Sequence, residues 1–219
     1  MPINISKNIK TFKSTIPKEV ALVAVSKTKP NEDLMEAYQT GQRIFGENKI
    51  QEMTDKWEAL PKDIEWHMIG HVQTNKVKYM APYVSLVHAV DKMKLLKEIN
   101  KRAKQNEREI RCLLQLKIAE EESKFGMSKE DLIALLQDER IPHFNHVKIV
   151  GLMGMATFTE DKDQIEREFA FLKKTFDELK TEHQNLKILS MGMSGDYKLG
   201  IKHGSNMIRI GSAIFGERN

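Results

Sequence analysis

Lys27 is the residue of this 219-residue sequence whose position best suits covalent chemistry. It follows an apolar run at residues 21–26 (ALVAVS), and the two-residue period of a β-strand groups it with Val23 and Val25. In a strand buried on both faces, a lysine at this place loses hydration, which lowers its pKa and makes its amine a nucleophile toward aldehydes. The alternative is a lysine that buries only its aliphatic stem and reaches solvent at the strand end.

Arg209 is a charged residue inside an apolar run at residues 206–211 (NMIRIG), where alternation places the two isoleucines on one face and the arginine on the other. A guanidinium inside a buried strand needs a partner, because an unpaired buried charge is costly. Arg209, like Lys27, is therefore a charged side chain on one face of a buried strand and a candidate site residue. The alternative is a structural ion pair with a strand-borne acid such as Glu47 or Glu65.

Two loops near the carboxyl terminus have the composition of a phosphate site. They are residues 193–196 (MSGD) and 210–213 (IGSA), and each follows an apolar run. Glycine lets the backbone approach a ligand, and the hydroxyls of Ser194 and Ser212 add donors. Taken alone these are ordinary strand-to-helix turns, and the sequence has neither a Walker motif nor a dinucleotide fingerprint.

The other candidate constellations do not predict a site. His67 and His71 are four residues apart, but residues 66–70 are typical of a strand end and not of the helix that a zinc site of this spacing requires. Cys112 is the only cysteine, which excludes an internal disulfide and a cysteine cluster. We therefore expect no metal.

The elements that must position these residues alternate between strands and helices. Eight short apolar runs lie at residues 21–26, 43–47, 64–70, 84–90, 110–118, 146–154, 186–192 and 206–211. Strict alternation indicates parallel strands covered by helices, and eight units of this spacing predict a single (β/α)8 TIM barrel that spans residues 1–219. A doubly wound open sheet, which also alternates strands and helices, is the main alternative.

Three helices have clear local signals. An apolar stripe with spacings of four, three, four and three runs from Ile165 to Leu179. Ser128 with Asp131 has a capping-box spacing, and a further helix begins after Pro30. Residues 3–12 are predicted to form an extra helix that packs on the barrel.

The composition narrows the class of protein. The sequence is 40% hydrophobic and 30% charged, has one cysteine, and has no apolar run as long as a membrane span, so we expect a soluble cytoplasmic protein. The net charge is only +4, the bases are interspersed with acids, and aromatic residues are 7%, which disfavours nucleic-acid binding.

The sequence also resembles a known family, the pyridoxal 5′-phosphate homeostasis proteins, whose barrel is related to the N-terminal domain of alanine racemase. The resemblance covers nearly the whole chain in seven ordered blocks. They are residues 24–30 (AVSKTKP), 45–48 (FGEN), 66–76 (WHMIGHVQTNK), 122–127 (ESKFGM), 151–155 (GLMGM), 191–196 (MGMSGD) and 209–218 (RIGSAIFGER).

This resemblance implies pyridoxal phosphate as the cofactor, held as a Schiff base on Lys27. It further implies that Arg209 faces the pyridine nitrogen and that Asn48 and His67 line the ring pocket. The phosphate would be held by Ser194, Gly211 and Ser212. Ser212 stands where the family often has threonine, and Gly195 where a polar residue is frequent; both keep a short loop rich in donors.

The resemblance implies a carrier that delivers the cofactor transiently to apo-enzymes, and it favours a monomer. An acid beside the ring nitrogen accepts a hydrogen bond from it and keeps it protonated, whereas an arginine can only donate, so the nitrogen stays neutral and the ring a weak electron sink. Eight units use nearly all 219 residues, which leaves no length for the racemase's second domain. None of the four tyrosines matches that enzyme's base, although Tyr197 is the least unsuitable.

Two enzyme alternatives stay open: a weak amino-acid racemase, and a lysine aldolase acting on a sugar phosphate. Thr28, Lys29 and Lys76 form a candidate second cofactor station, for which surface lysines are the simpler interpretation.

Overall fold

Eight parallel strands close into a barrel in the computed structural model, which describes residues 3–121 and 125–217. Each strand pairs with the next along the chain, and the first pairs with the last through Ala21 and Met207, so the sheet has no edge. This closure confirms the predicted barrel and excludes the doubly wound sheet. The strands are β1 Ala21–Val25, β2 Ile44–Glu47, β3 Glu65–Met68, β4 Leu86–Val90, β5 Ile110–Gln115, β6 Val147–Met153, β7 Ile188–Ser190 and β8 Met207–Ile210.

Helices follow the strands and cover the outside of the barrel, with two short 3₁₀ turns at Thr74–Lys76 and Ile141–His143. They are α1 Ile5–Thr15, α2 Asn31–Gln39, α3 Ile50–Ala59, α4 Val77–Met80, α5 Met93–Gln105, α6 Lys129–Leu136, α7 Lys162–Glu182, α8 Tyr197–Lys202 and α9 Ser212–Phe215. Within the part of the chain that the structure describes, no helix combines the length and apolar character needed to cross a membrane.

The local signals in the sequence are confirmed at the helix ends. Ser128 caps α6, with its Oγ accepting from the Asp131 N–H at 3.0 Å. The extra helix α1 precedes β1 as predicted, but it begins at Ile5 and ends at Thr15 instead of spanning residues 3–12. Its start is set by Asn4, whose side chain caps the first turn by accepting from the Lys7 N–H.

The core has two layers, which the strand alternation separates. Leu22 and Ala24 face outward into the large cluster between strands and helices. Val23 faces inward into a smaller apolar cluster inside the barrel, together with Leu113 and Met153 from strands β5 and β6. Because side chains alternate along β1, the inward position two residues beyond Val25 belongs to Lys27.

Candidate functional site

The seven predicted cofactor residues all belong to one end of the barrel or to its interior. Lys27, Asn48, Ser194, Gly211 and Ser212 follow the carboxyl ends of β1, β2, β7 and β8, whereas His67 lies within β3 and Arg209 within β8. Since the strands are parallel, their carboxyl ends meet on one face. We call this face, with the residues that directly follow each strand, the barrel mouth.

Lys27 lies in a tight turn at the end of β1. The Ser26 N–H still donates to the Gly46 carbonyl at 3.1 Å, so the parallel pairing continues to Ser26. Thr28 then has a φ of 64°, in the left-handed region that residues other than glycine seldom adopt. Lys27, between these two residues, is half-buried.

The two glycine- and serine-containing loops meet at the hydroxyl of Ser194. The backbone N–H groups of Gly211 and Ala213 donate to Ser194 Oγ at 3.3 and 3.4 Å. A Cβ added at Gly195 would have nothing within 4 Å among the described residues, so this side of the loop is open. Backbone donors that converge on one oxygen beside open space are the arrangement that binds phosphate groups.

Arg209 is buried inside the barrel with neutral partners. Its Nη1 donates to Ser190 Oγ at 2.6 Å, and its Nη2 donates to the Gly154 carbonyl at 3.0 Å. Burial lowers the pKa of Arg209 to about 10, an effect that Asp196 partly opposes. The side chain therefore stays protonated at neutral pH, and these two bonds use two of its five N–H donors.

The alternative of a structural ion pair between Arg209 and Glu47 or Glu65 is wrong. Glu47 Oε1 accepts from Lys56 Nζ at 2.8 Å, on the outer side of the strands against α3. Glu65 lies 3.7 Å from the guanidinium of Arg111. The physical reason is strand alternation, which directs Arg209 inward and Glu47 outward.

A chain of hydrogen bonds runs from Arg209 across the barrel to His67. Ser190 Oγ lies 3.4 Å from His88 Nδ1, and His88 Nε2 lies 3.1 Å from His67 Nδ1. We call Arg209, Ser190, His88 and His67 the barrel relay. Burial lowers the pKa of His67 to about 3 and that of His88 well below its usual range, so both rings are neutral.

Arg209 can only donate, so Ser190 Oγ accepts from it and the hydroxyl hydrogen can be directed to His88 Nδ1. In that tautomer His88 carries its proton on Nε2 and donates to His67 Nδ1, which leaves the His67 proton on Nε2. The Ser190 oxygen has two lone pairs, so it can also accept from a proton on His88 Nδ1, and the barrel relay then runs in the opposite direction. In both tautomers the buried His67 Nε2 has no hydrogen-bond partner among residues 3–121 and 125–217. The barrel relay therefore ends in a polar atom that an additional polar group can satisfy.

His88, Ser190 and the Gly154 carbonyl were not predicted from the sequence. His88 carried a usable signal, because alternation along β4 places it on the same face as Leu86, which lines the interior. Gly154 contributes only a backbone carbonyl, for which no side-chain pattern exists.

His67 and His71 do not converge, in agreement with their placement on a strand end. His71 stacks on Phe125 with ring centroids 4.6 Å apart, and its Nδ1 lies 3.5 Å from Asp91. Among the described residues there is no group of three or more His, Cys, Asp or Glu side chains suited to a metal ion.

The four tyrosines make contacts outside the set of predicted cofactor residues. The Tyr38 hydroxyl donates to Asp63, and that of Tyr83 lies 2.9 Å from Thr54. Tyr197 packs edge-on against Phe12 of α1, with ring centroids 5.3 Å apart, and Tyr79 is exposed beside Lys76 and Lys78.

Comparison with known proteins places this chain in a family. The sequence matches the family described as "Alanine racemase, N-terminal domain" over residues 3–219. It is 40% identical over 199 residues to the pyridoxal phosphate homeostasis protein of Aquifex aeolicus, covering 90% of this chain and 86% of that one. The protein of the same name from Schizosaccharomyces pombe is 35% identical over 204 residues, with 92% and 85% covered.

Solved structures agree with this placement. PipY of Synechococcus elongatus, in a structure with PLP bound, has 32% identity and a TM-score of 0.88, with 97% of this chain and 100% of that chain covered. Alanine racemase from Bartonella henselae, at 16% identity and a TM-score of 0.75 over 98% of this chain and 60% of its own, shares the fold. The chain thus belongs to the pyridoxal phosphate homeostasis protein family, whose barrel is that of the alanine racemase N-terminal domain.

Proposed function

We propose that this protein binds pyridoxal 5′-phosphate at the barrel mouth and acts in its intracellular homeostasis, holding the cofactor reversibly and passing it to apo-enzymes. The observation that carries the proposal is the meeting of the Ser194 and Gly211 loops beside the turn that bears Lys27. An added Cβ at Gly211 would lie 3.4 Å from the Val25 Cβ, so the candidate phosphate-binding loop that contains Gly211 packs directly against the end of β1.

The residues at the barrel mouth and in the interior suit pyridoxal phosphate in three respects. The converging N–H groups of Gly211 and Ala213, with Ser194 and Ser212, suit its phosphate. The buried guanidinium of Arg209 suits a ring nitrogen that accepts a hydrogen bond. The unpartnered His67 Nε2, with no acceptor in the described chain, suits a polar atom of the ring pocket.

Lys27 would hold the aldehyde as a Schiff base, in which the amine nitrogen forms a double bond to the aldehyde carbon and the carbonyl oxygen leaves as water. When bound, pyridoxal phosphate supplies this aldehyde and an electron-withdrawing ring. Asn48 would line the ring pocket. Its backbone packs closely against Gly70, where an added Cβ would lie 2.5 Å from the Asn48 carbonyl oxygen.

The surroundings of Arg209 support a carrier and not an enzyme. Its pKa of about 10 keeps it a donor at neutral pH, so it would leave the ring nitrogen neutral and the electron sink weak. The relatives, moreover, are named as homeostasis proteins. The tyrosines, which would be needed as a second base, make the contacts described above.

Absorbance with and without borohydride tests the binding. Protein incubated with pyridoxal phosphate should absorb in the imine band, and reduction should fix the label on the peptide that contains Lys27. Lys27→Ala should lose the band, whereas the matched variants Lys29→Ala and Lys76→Ala should keep it. A label that stays unchanged in Lys27→Ala would contradict the Schiff-base assignment, and its transfer to Lys29 or Lys76 would support a second station.

Two further assays separate the carrier from the enzymes. If the protein acts as a carrier, the loaded protein should restore activity to an apo-enzyme faster when the two proteins share one solution. Recovery should be slower when a dialysis membrane separates them and only free cofactor can cross. Exchange of the α-hydrogen of amino acids at about one per second or faster would identify a racemase instead. Cleavage of a sugar phosphate by protein that lacks the cofactor would identify an aldolase.

Three properties of the whole protein are also proposed from the sequence: a single domain over residues 1–219, a monomeric state and a cytoplasmic location. Light scattering during gel filtration should give the mass of one 25.3 kDa chain, and a doubled mass would contradict the monomer.

A further inference from the structure

Lys56 is a buried lysine on α3, only 5% exposed, that the cofactor site described above does not use. Its Nζ donates to Glu47 Oε1 at 2.8 Å, to Glu52 Oε1 at 2.7 Å and to the Ser26 carbonyl at 2.8 Å. These three acceptors satisfy the three donors of an ammonium group. We call Lys56, Glu47 and Glu52 the α3 ion cluster.

The α3 ion cluster holds both chain neighbours of Lys27. Ser26 Oγ donates to Glu47 Oε1 at 2.6 Å, and the Thr28 N–H donates to Glu52 Oε1 at 2.5 Å. The three side chains of the α3 ion cluster make five of these hydrogen bonds, and three of the five join the cluster to Ser26 or Thr28. Thr28 is also the residue in the left-handed region, with a φ of 64°.

We propose that the α3 ion cluster is a positioning device for Lys27, in which Glu52 holds Thr28 in its strained conformation and Lys56 holds the Ser26 carbonyl. The inference rests on the proposed function, because it concerns the amine that would bond the aldehyde. With both neighbours fixed, the Lys27 backbone has one orientation and its side chain leaves β1 on the inward face. Without the cluster, Thr28 relaxes out of the left-handed region and the amine spends less time at the barrel mouth.

Glu52→Ala is the variant that separates positioning from folding. The Glu52 side chain is 22% exposed, so its loss leaves the buried pair of Lys56 and Glu47 in place. The matched control is Glu98→Ala on α5, because the Glu98 side chain is 20% exposed and also pairs with a base four residues away, Arg102.

Two measurements apply to each variant. Hydrogen exchange of the cofactor-free protein should be faster at residues 26–29 in Glu52→Ala and unchanged there in Glu98→Ala. The rate at which added pyridoxal phosphate is trapped on Lys27 by borohydride should fall about tenfold in Glu52→Ala only, which corresponds to the loss of one hydrogen bond to a charged group.

Rescue distinguishes positioning from a general weakening of the fold. Glycine adopts a positive φ without steric strain, so Thr28→Gly in the Glu52→Ala background should restore much of the trapping rate. If Glu52→Ala matches Glu98→Ala in exchange and trapping, the positioning role is refuted. If the wild-type protein is not labelled at Lys27, the proposed function fails instead, whatever the exchange shows.

Discussion

Acid should destabilise this protein through the two histidines that lie inside the barrel. His67 and His88 are buried, contact each other and are neutral in the folded state. In the unfolded chain both are exposed to water and take up a proton near their ordinary pKa of 6.5. The unfolded state therefore binds more protons than the folded state at mildly acidic pH, and stability falls as the pH falls.

The magnitude for His67 follows from its pKa of about 3. Its contribution is complete above pH 6.5 and is lost progressively as the pH falls toward 3. Each pH unit in this window is equivalent to about 1.4 kcal/mol, so lowering the pH from 8 to 5 reduces the free energy of unfolding by about 2 kcal/mol through His67 alone. His88, whose pKa is lowered by burial and by the neighbouring His67 and Arg209, adds to the loss in the same direction.

Urea unfolding at pH 8 and pH 5 measures this effect. His67→Asn removes the titrating group, so its loss of stability between the two pH values should be about 2 kcal/mol smaller than that of the wild type. His143→Asn, which removes an exposed histidine from a surface turn, is the matched control. Carboxyl groups that titrate elsewhere contribute equally to all three proteins and cancel from the comparison.

If His67→Asn loses as much stability between pH 8 and pH 5 as the wild type does, His67 is not held neutral by burial. A charged His67 would donate from both ring nitrogens, so its Nδ1 could not accept from His88 in the barrel relay.

Four further substitutions, one of them a control, have definite expected outcomes. Gly70→Ala should cost about 1–3 kcal/mol in chemical denaturation and weaken cofactor binding, because its Cβ would lie 2.5 Å from the Asn48 carbonyl oxygen, whereas Gly195→Ala faces open space and should be neutral. Equal effects would show that this contact does not fix Asn48. Ser194→Ala should weaken binding of pyridoxal phosphate about tenfold and of unphosphorylated pyridoxal much less, as measured by absorbance titration; an equal loss for both would contradict a phosphate contact. Lys56→Met should lower the free energy of unfolding by about 3–5 kcal/mol in urea, since it leaves the buried Glu47 carboxylate without a counter-charge and with only its hydrogen bond from Ser26; a loss below 1 kcal/mol would mean that Glu47 becomes protonated.

The fold was predictable because its signals are local and repeated. The stripe from Ile165 to Leu179 marks α7, the Ser128 cap marks the start of α6, and eight apolar runs at regular spacing leave few architectures that bury them all. The errors lie at element ends, such as the three-residue extension of α1 to Thr15, where a side-chain cap and not the apolar period decides.

The inward direction of Arg209 was also accessible from sequence, since it depends only on the two-residue period of a strand, and the same period predicts it for Lys27. The contacts that each charged group makes were not accessible from the sequence. The alternative of an acid partner for Arg209 is wrong, because Glu47 is directed outward to a lysine whose place depends on how α3 packs against β2.

The barrel, its mouth and the types of residue that follow its strands were therefore predictable from local sequence patterns. The barrel relay and the α3 ion cluster were not, because their members come together only in the folded chain. Ser190 and His88 are 102 residues apart and meet only because the sheet closes, and Thr28 meets Glu52 only because α3 packs against β2, the strand paired with β1. The physical reason is the range of the interactions: alternation and capping act within a few residues, whereas hydrogen bonds inside and around the barrel depend on its closure and on how each helix packs.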